Sequence, residues 1–329
     1  MENSLCYNLS MQIPLLQTKA WQKFQNSLKK TTFFTQTPDF SYLAILESTP
    51  IGNYLFLPYG PVAKTLANFK KALHDLQSLA QAKKAFFIRL EPQNLSLLPL
   101  LQSNPKFHKT ININPADTWV LNLQSTPEKI ISNFSQGTRT RYHNIKKRGL
   151  TITTSKNPND IKYLIKLQSK LAKSKNFHIF SEDYLKTELS QTFATLFLVK
   201  YSPISTFTPK IQPQPDEVVA TSLFFDDQTT RYYMQSASAL QYKQLPSTVA
   251  LLTSAIFDAK QKGLKNFDFW GIAPKNAPQN HPWTGFTTFK KSFGGQSVHY
   301  CGTYDYVLNS KKYTFYNLLR QTNRFIRKL

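Results

Sequence analysis

The 329-residue sequence contains little cysteine, glycine and acid. Its two cysteines, Cys6 and Cys301, have no metal-binding or redox spacing, which argues against a disulfide framework and indicates a reducing compartment. Only 10 glycines occur, so each is expected to mark a special turn. The motifs H-E-x-x-H, C-x-x-C, G-x-S-x-G and the P-loop are missing. The sequence therefore gives no support to a bound metal, or to metal, serine or nucleotide hydrolysis.

Long apolar runs are also missing. The longest, such as residues 193–199, fall far below the ~20 residues of a membrane-spanning helix. The first ten residues include an acid and no apolar core, so a secretory signal peptide is not predicted. We therefore expect a cytoplasmic protein. Its 41% hydrophobic and 14% aromatic content is that of a folded chain with enough residues for two cores.

The shortage of acids leaves a large positive charge. Lys and Arg number 41 against 18 Asp and Glu, a formal net charge of +23. Such a surplus favours a polyanionic partner, which would be RNA, DNA or an acidic membrane. The alternative is a general compositional bias, since Lys, Asn, Thr and Gln are all abundant.

One stretch, residues 266–295, combines several features of a site. NFDFW predicts a short strand that Gly271 ends, and a loop with three prolines follows. A compact run of aromatics, lysines and glycines then extends from Gly285 to Gly295. A strand end that opens into a loop with clustered polar groups is a common way to build a binding or catalytic site.

This stretch has the pattern D-x-x-G, a variable loop, then G-x-x-x-F-K-x-x-F-G, and it resembles the FemABX family of peptidoglycan aminoacyltransferases. Four other elements occur in the family's order, which are LPYGPV at 57–62, IRLEP at 88–92, DTWVLNL at 117–123 and TRTRYHNIKKRG at 138–149. Each motif is weak alone, and the five together cover nearly the whole chain.

The resemblance implies an α+β fold of two GNAT-like domains, each with a mixed, largely antiparallel sheet flanked by helices. The first domain would span 1–117, the second 118–302, and a C-terminal helix within 303–329 would pack back on the first. The predicted elements of the second half agree, because a strand, helices, antiparallel strands, a helix and a strand follow in the order of the GNAT fold.

The resemblance also implies transfer of an amino acid (Gly, Ala or Ser) from aminoacyl-tRNA to the side-chain amine of a peptidoglycan stem peptide. No cofactor besides this co-substrate is expected. Lys290 and Phe289 fall on the family's F-K position, where the ammonium would stabilise the negative oxygen of the attacked ester. The alternative is a solvated lysine. The remaining residues of the pattern, expected to build the site loop, are Asp268, Gly271, Gly285, Phe293 and Gly294. Asp268 is alternatively a strand-end acid with local hydrogen bonds.

Acceptor binding is predicted at two places. Arg89 and Glu91 share one face of a strand, where the acid would lie near the acceptor amine or the two would form a structural ion pair. Trp21 and Lys23 match the family's aromatic-basic element. Members with a nucleotide-linked acceptor have a phosphate-binding lysine where this chain has Gln25, and a partner arginine near Ile179. The sequence therefore favours a lipid-linked precursor over a UDP-linked one, and peripheral membrane contact is compatible with it.

Donor binding is predicted on a basic helix at 138–148 that Gly149 closes. Tyr142 and Ile145 would face inward, leaving a solvated or a tRNA-contacting face formed by Arg139, Arg141, Lys146, Lys147 and Arg148. The run 241–248, which precedes a predicted helix, has no glycine to wrap a pyrophosphate and so argues against CoA. Two rivals stay open, a GNAT-like N-acyltransferase using acyl-CoA and a non-catalytic RNA-binding protein.

Overall fold

The structure, a computed structural model, describes residues 13–175, 179–204 and 207–326. The chain folds into two compact units. Unit 1 comprises Met1–Ala116 and His299–Leu329, and unit 2 comprises Asp117–Val298. Within the described ranges, no helix is both long and apolar enough to traverse a lipid bilayer.

Unit 1 is built on one seven-stranded sheet. Its strands are β1 (Thr31–Gln36), β2 (Phe40–Thr49), β3 (Gly52–Leu57), β4 (Val62–Ala63), β5 (Ala85–Leu90), β6 (Phe107–Lys109) and β14 (Tyr304–Val307). Its helices are α1 (Lys19–Ser27), α2 (Leu66–Ala82), α3 (Leu98–Ser103) and α10 (Ser310–Ile326). The strand order is β1-β2-β3-β5-β14-β6, and β4 pairs with β2.

Helix α2 follows the predicted periodicity and makes the crossover in this sheet. Thr65 caps it, because its hydroxyl accepts the N–H of Asn68 at 3.1 Å. The residues Phe69, Leu76 and Ala80 are fully buried along one side of the helix. α2 thereby connects β3 to β5, the parallel pair of this sheet.

The C-terminal segment 303–329, in which a helix was predicted, begins with a strand. Tyr304–Val307 form strand β14, which pairs antiparallel with both β5 and β6. All four residues are buried, so the run lacks the in–out alternation that would have identified a strand. Helix α10 begins only at Ser310, and its Tyr316 packs on the rings of Phe86 and Phe87 in unit 1.

Unit 2 repeats this architecture. Its strands are β7 (Asp117–Asn122), β8 (Leu150–Ser155), β9 (Ala194–Tyr201), β10 (Val218–Asp226), β11 (Thr230–Ser238), β12 (Asn266–Gly271) and β13 (Gln296–His299). Its helices are α4 (Pro127–Ser132), α5 (Gln136–His143), α6 (Ile161–Lys175), α7 (Glu182–Leu189), α8 (Ser247–Gln261) and α9 (Thr284–Lys291). The strand order is β13-β7-β12-β11-β10-β9-β8.

Both sheets contain a parallel pair of strands connected through a helix. β11 and β12 pair in parallel and are joined by α8, as β3 and β5 are joined by α2. The other described pairings are antiparallel. The predicted α+β class, with two mixed and largely antiparallel sheets flanked by helices, is confirmed.

The continuous basic helix predicted at 138–148 is wrong. Helix α5 ends at His143, and Lys146–Arg148 form a separate 3-10 turn. The break falls at Asn144 and the buried Ile145, after which the N–H groups of Arg148 and Gly149 bond three residues back. Gly149 adopts a φ of 65°, as expected for the residue that ends this segment.

Candidate active site

The candidate site of unit 2 lies at the carboxyl end of β12, where β12 separates from its parallel neighbour β11. β11 and β12 pair only from Thr230–Tyr232 to Asn266–Asp268. Beyond Asp268, the register of β12 against β7 shifts, and Trp270 in this bulge has a φ of 65°. A positive φ is strained for a bulky side chain, and such strain clusters at functional sites. Carboxyl ends of parallel strands are also where open sheets bind ligands.

Lys290 reaches this strand end from helix α9. Its side chain is buried, with 9% of the residue exposed, and its Nζ donates to the Gly271 carbonyl at 2.6 Å. Two rings flank the ammonium, with centroids 5.0 Å away for Phe286 and 5.9 Å away for Tyr233. The hydroxyl of Thr287, which accepts the Ala273 N–H at 2.9 Å, ties α9 to the loop after β12.

Asp268 is the acid of this site. Its Oδ1 accepts the N–H of Trp270 at 2.7 Å, which makes it the strand-end acid with a local hydrogen bond. Burial raises the pKa of Asp268 to about 7, although the Trp270 N–H and the charge of Lys290 work in the opposite direction. Burial lowers the pKa of Lys290 to about 8, and the charge of Asp268 opposes this shift. At neutral pH the lysine is therefore mostly an ammonium.

This ammonium is incompletely satisfied. Among the described residues, the Gly271 carbonyl is the hydrogen-bond acceptor that Lys290 contacts, while an ammonium has three donors. Donors that are held in place in a desolvated, aromatic-lined site stabilise an oxygen that gains negative charge. In the described part of the chain, no group of three His, Cys, Asp or Glu side chains could hold a metal ion.

The other residues of the F-K stretch have varied surroundings. Phe293 is fully buried, and its ring packs against Phe134, Phe269 and Phe289 at 5.2–5.5 Å. Gly294 adopts a φ of 74°, and its carbonyl accepts the Trp119 indole N–H at 2.6 Å. A side chain at Gly285 would meet open space. Phe293 and Gly294 thus hold the end of α9 in place.

Phe286 was missed by the sequence analysis, which placed Phe289 beside the catalytic lysine. In the structure, Phe289 packs on Phe293 and Phe286 lies over the ammonium. Residues four apart share one side of a helix, so assigning 284–291 as a helix would have identified Phe286.

A buried acid on α7 was also missed. Glu188 is only 1% exposed, and its Oε1 accepts the Gln235 amide N–H at 3.5 Å. Its Oε2 and the Gln235 Oε1 have no hydrogen-bond partner among the described residues. Burial raises the pKa of Glu188 to about 8. The spacing of Glu188 from Leu185, with which it shares the buried face of α7, could have revealed it.

Arg89, predicted to bind the acceptor, is buried in unit 1. Its Nε and Nη2 donate to the two carboxylate oxygens of Asp305 at 2.7 and 2.8 Å. The Tyr313 hydroxyl donates to the same carboxylate at 2.9 Å. A structural ion pair between Arg89 and Glu91 is therefore wrong, because β14 places Asp305 directly opposite Arg89.

Glu91 is buried just beyond the end of β5. Its Oε1 accepts the N–H groups of Ile113 and Asn114 and the hydroxyl of Thr303, at 2.6–3.2 Å. Its Oε2 accepts the N–H of Tyr59 and the side-chain amide of Asn114, at 3.4 and 2.6 Å. Glu91 thus fixes a turn and a loop of unit 1 and has both oxygens occupied.

The aromatic-basic element lies on α1. Trp21 is a core residue whose ring packs on Phe24 at 4.9 Å, and Gln25 is also buried. Lys23 is exposed. Of the two residues predicted to bind the acceptor here, Lys23 is accessible from solvent and Trp21 is not.

The five predicted tRNA-binding residues divide into two groups. Arg141, Lys146 and Lys147 are exposed. The guanidinium of Arg139 donates to the carbonyls of Ser132, at 3.0 Å, and Phe134. That of Arg148 lies 4.0 Å from the centroid of the Phe207 ring.

The FemAB family model matches residues 202–321, a segment that contains Tyr233, Gln235, Asp268 and Lys290. A crystal structure of FemX has the same fold, with a TM-score of 0.78 and 16% identity over 92% of this chain and 94% of FemX. The chain therefore resembles the FemABX family, in sequence over this segment and in fold over nearly its whole length. Both comparisons support the resemblance predicted from the sequence.

Other solved structures share this fold at lower similarity. The C-terminal DUF2156 domain of a protein assigned as lysylphosphatidylglycerol synthetase from Agrobacterium fabrum has a TM-score of 0.59 and 14% identity, over 93% of this chain and 92% of that one. The structure of L-PGS from Bacillus licheniformis has a TM-score of 0.57 and 12% identity, over 93% and 96%. A search of curated protein sequences found no match.

Proposed function

We propose that the protein transfers an amino acid (Gly, Ala or Ser) from aminoacyl-tRNA to the side-chain amine of a peptidoglycan stem peptide during cross-bridge formation. The observation that carries the proposal is Lys290, a buried ammonium with one hydrogen bond, held at the carboxyl end of β12 within the family-matched segment. No cofactor beyond the tRNA-borne ester is required.

The proposed reaction is an aminolysis. The neutral acceptor amine attacks the ester carbonyl carbon, a C–N bond forms, and the carbonyl electron pair moves onto oxygen. The Lys290 ammonium stabilises that oxyanion. Collapse breaks the ester C–O bond, and the ribose hydroxyl leaves with the proton that the amine gave up. Because the ester is already activated, the reaction requires neither ATP nor a metal.

The surroundings of Lys290 suit this role. Gly271 fixes the direction of the side chain through its carbonyl, and the rings of Phe286 and Tyr233 limit water around the ammonium. Asp268 keeps part of the positive charge on Lys290 that burial would remove. Orientation and a placed charge are the main contributions that a transferase of this kind needs to make.

The two substrates would use different units. The exposed Arg141, Lys146 and Lys147 of unit 2 are proposed to contact phosphates of the tRNA. Lys23 of unit 1 is proposed to contact the acceptor. Arg89 and Glu91, whose hydrogen bonds are taken up within unit 1, would support the acceptor site by positioning its loops. Because Gln25 replaces a phosphate-binding lysine, the acceptor is proposed to be lipid-linked.

The test offers aminoacyl-tRNAs labelled in the amino acid together with a lipid-linked or a UDP-linked precursor. We expect label in the lipid-linked product, and we expect it to depend on Lys290. Label found only in the UDP-linked product would overturn the acceptor assignment. Transfer from acetyl-CoA in place of the tRNA ester would contradict the donor assignment. Lys291→Met is the matched control, since Lys291 is an exposed neighbour of equal charge.

A further inference from the structure

Helix α10 is anchored to unit 1 by one of its faces. Tyr313 is buried, and its hydroxyl donates to Asp305 at 2.9 Å. Tyr316 packs against the rings of Phe86 and Phe87, with centroids 5.8 and 5.3 Å apart. The orientation of the helix about its own axis is therefore fixed by these contacts.

The opposite face of α10 is apolar and exposed. Phe315, Leu318 and Leu319 are 53%, 59% and 38% exposed. Their i, i+3, i+4 spacing puts them on one side of the helix. Arg320, whose guanidinium donates to the Thr110 hydroxyl at 3.1 Å, places the loop after β6 beside this helix. That loop exposes two further apolar side chains, Ile111 and Ile113.

The charge around this face has one sign. Residues 306–329 contain six basic residues and no acidic one. Of these, Lys311 and Lys312 are exposed one turn before Phe315. A helix with an apolar face bordered by lysine and arginine is the arrangement that lies in the interface of a bilayer. Anionic headgroups would complement the basic residues.

We propose that the exposed face of α10, with Phe315, Leu318 and Leu319 at its centre, docks on an anionic lipid bilayer. A second copy of the chain fits less well, because a symmetric contact would bring the same lysines against each other. An RNA partner would complement the lysines but not the exposed leucines. The inference goes beyond the proposed transfer reaction and is measured without donor or acceptor.

The test is sedimentation of the full chain with vesicles of phosphatidylcholine, with and without phosphatidylglycerol. We expect salt-sensitive binding that requires phosphatidylglycerol. The Phe315→Ser/Leu318→Ser variant should lower the vesicle partition coefficient about 100-fold, because each of the two inserted apolar side chains contributes roughly ten-fold. The Lys311→Gln/Lys312→Gln variant should lower it about five-fold per lysine, on anionic vesicles only.

Ile211→Ser/Leu240→Ser is the matched control, since both side chains are exposed apolar residues of unit 2, and it should bind like wild type. Absence of vesicle binding at low salt overturns the proposal. Binding that is unchanged in Phe315→Ser/Leu318→Ser would reflect bulk charge and overturns it too. If light scattering shows a dimer and Phe315→Ser/Leu318→Ser abolishes it, the face is the contact with a second copy of the chain. If the Phe315→Ser/Leu318→Ser variant loses tRNA binding and keeps vesicle binding, the exposed face of α10 is an RNA-binding surface.

Discussion

The two units bury charged side chains in opposite ways. In unit 1, Arg89 is paired with the Asp305 carboxylate through two hydrogen bonds, and both carboxylate oxygens of Glu91 are occupied by neighbouring donors. In unit 2, Lys290 has one hydrogen bond to a carbonyl and no carboxylate within salt-bridge distance among the described residues. Burial alone would lower the pKa of Arg89, but the two bonds to Asp305 raise it above its ordinary range. The pKa of Lys290 is lowered instead.

The difference is notable because the strands are related. β5 and β12 each follow the crossover helix of their unit, and they pair in parallel with β3 and β11, respectively. Breaking a buried pair of opposite charges by removing one partner is a loss of stability, because the other charge is left uncompensated. A buried charge with spare donors destabilises the fold slightly and is available for chemistry. The proposed catalytic role of Lys290 rests on this contrast.

Arg89→Met should give the largest effect, on stability. It would leave the Asp305 carboxylate buried without its cation, and breaking a buried pair in this way costs about 3–5 kcal/mol. Urea denaturation monitored by circular dichroism measures this loss. Arg89→Met/Asp305→Asn should recover part of it, because the orphaned charge is gone. A single variant within about 1 kcal/mol of wild type would mean that the pair contributes little.

Lys290→Met should cost turnover and not stability. Losing one placed donor to an oxyanion commonly lowers the rate ~100- to 1000-fold, or roughly 3–4 kcal/mol. The melting temperature should stay level or rise, because an ammonium with a lowered pKa opposes folding at neutral pH. Single-turnover transfer and thermal melts provide the two measurements. Lys291→Met should behave like wild type, and equal losses in both variants would attribute the effect to bulk charge.

The basic residues before Gly149 allow a similar comparison at the surface, between side chains exposed to solvent and side chains that contact the protein itself. Each phosphate contact adds about 0.7–0.9 to the slope of log K against log salt. Changing the exposed Arg141, Lys146 and Lys147 to Ala should therefore flatten the slope by about 2–3 in filter binding of tRNA. Arg139→Ala/Arg148→Ala should change it less, since these side chains are engaged with the protein itself. If Arg139→Ala/Arg148→Ala changed the salt slope more than the triple variant, the division between exposed and engaged basic residues would be refuted.

The smallest expected effect is on the pH profile. The ammonium form of Lys290 is the active one, and its pKa is about 8, so its deprotonation lowers the rate by up to ten-fold per pH unit above about pH 8. An acceptor side-chain amine, with an ordinary pKa of about 10.4, gains its reactive neutral form by the same factor over this range. The rate should therefore rise with pH and level off near pH 8. In Lys290→Met the rise should continue beyond pH 8, and a variant that still levels off there would place the titration elsewhere.

Much of unit 2 was predictable because its elements are local. The expected order of a strand, helices, antiparallel strands, a helix and a strand is that of β8 to β12 with α6, α7 and α8. Hydrophobic periodicity and capping residues decide such elements within a few neighbours. The inward position of Ile145 was predicted, but the end of α5 at His143 was missed, because the basic segment has no proline or glycine before Gly149 to mark it.

The sequence by itself determined the α+β class, the resemblance to the FemABX family and the position of Lys290 in its F-K element, because these depend on motifs and periodicity within short windows. The tertiary structure decided which buried charges are paired with an opposite charge. The partner of Arg89 lies 216 positions away in Asp305, on a strand whose buried residues give no alternation. The rings beside Lys290 come from α9 and from β11. Hydrogen-bond partners of buried groups are set by how distant segments pack, so a pattern of neighbouring residues cannot reveal them.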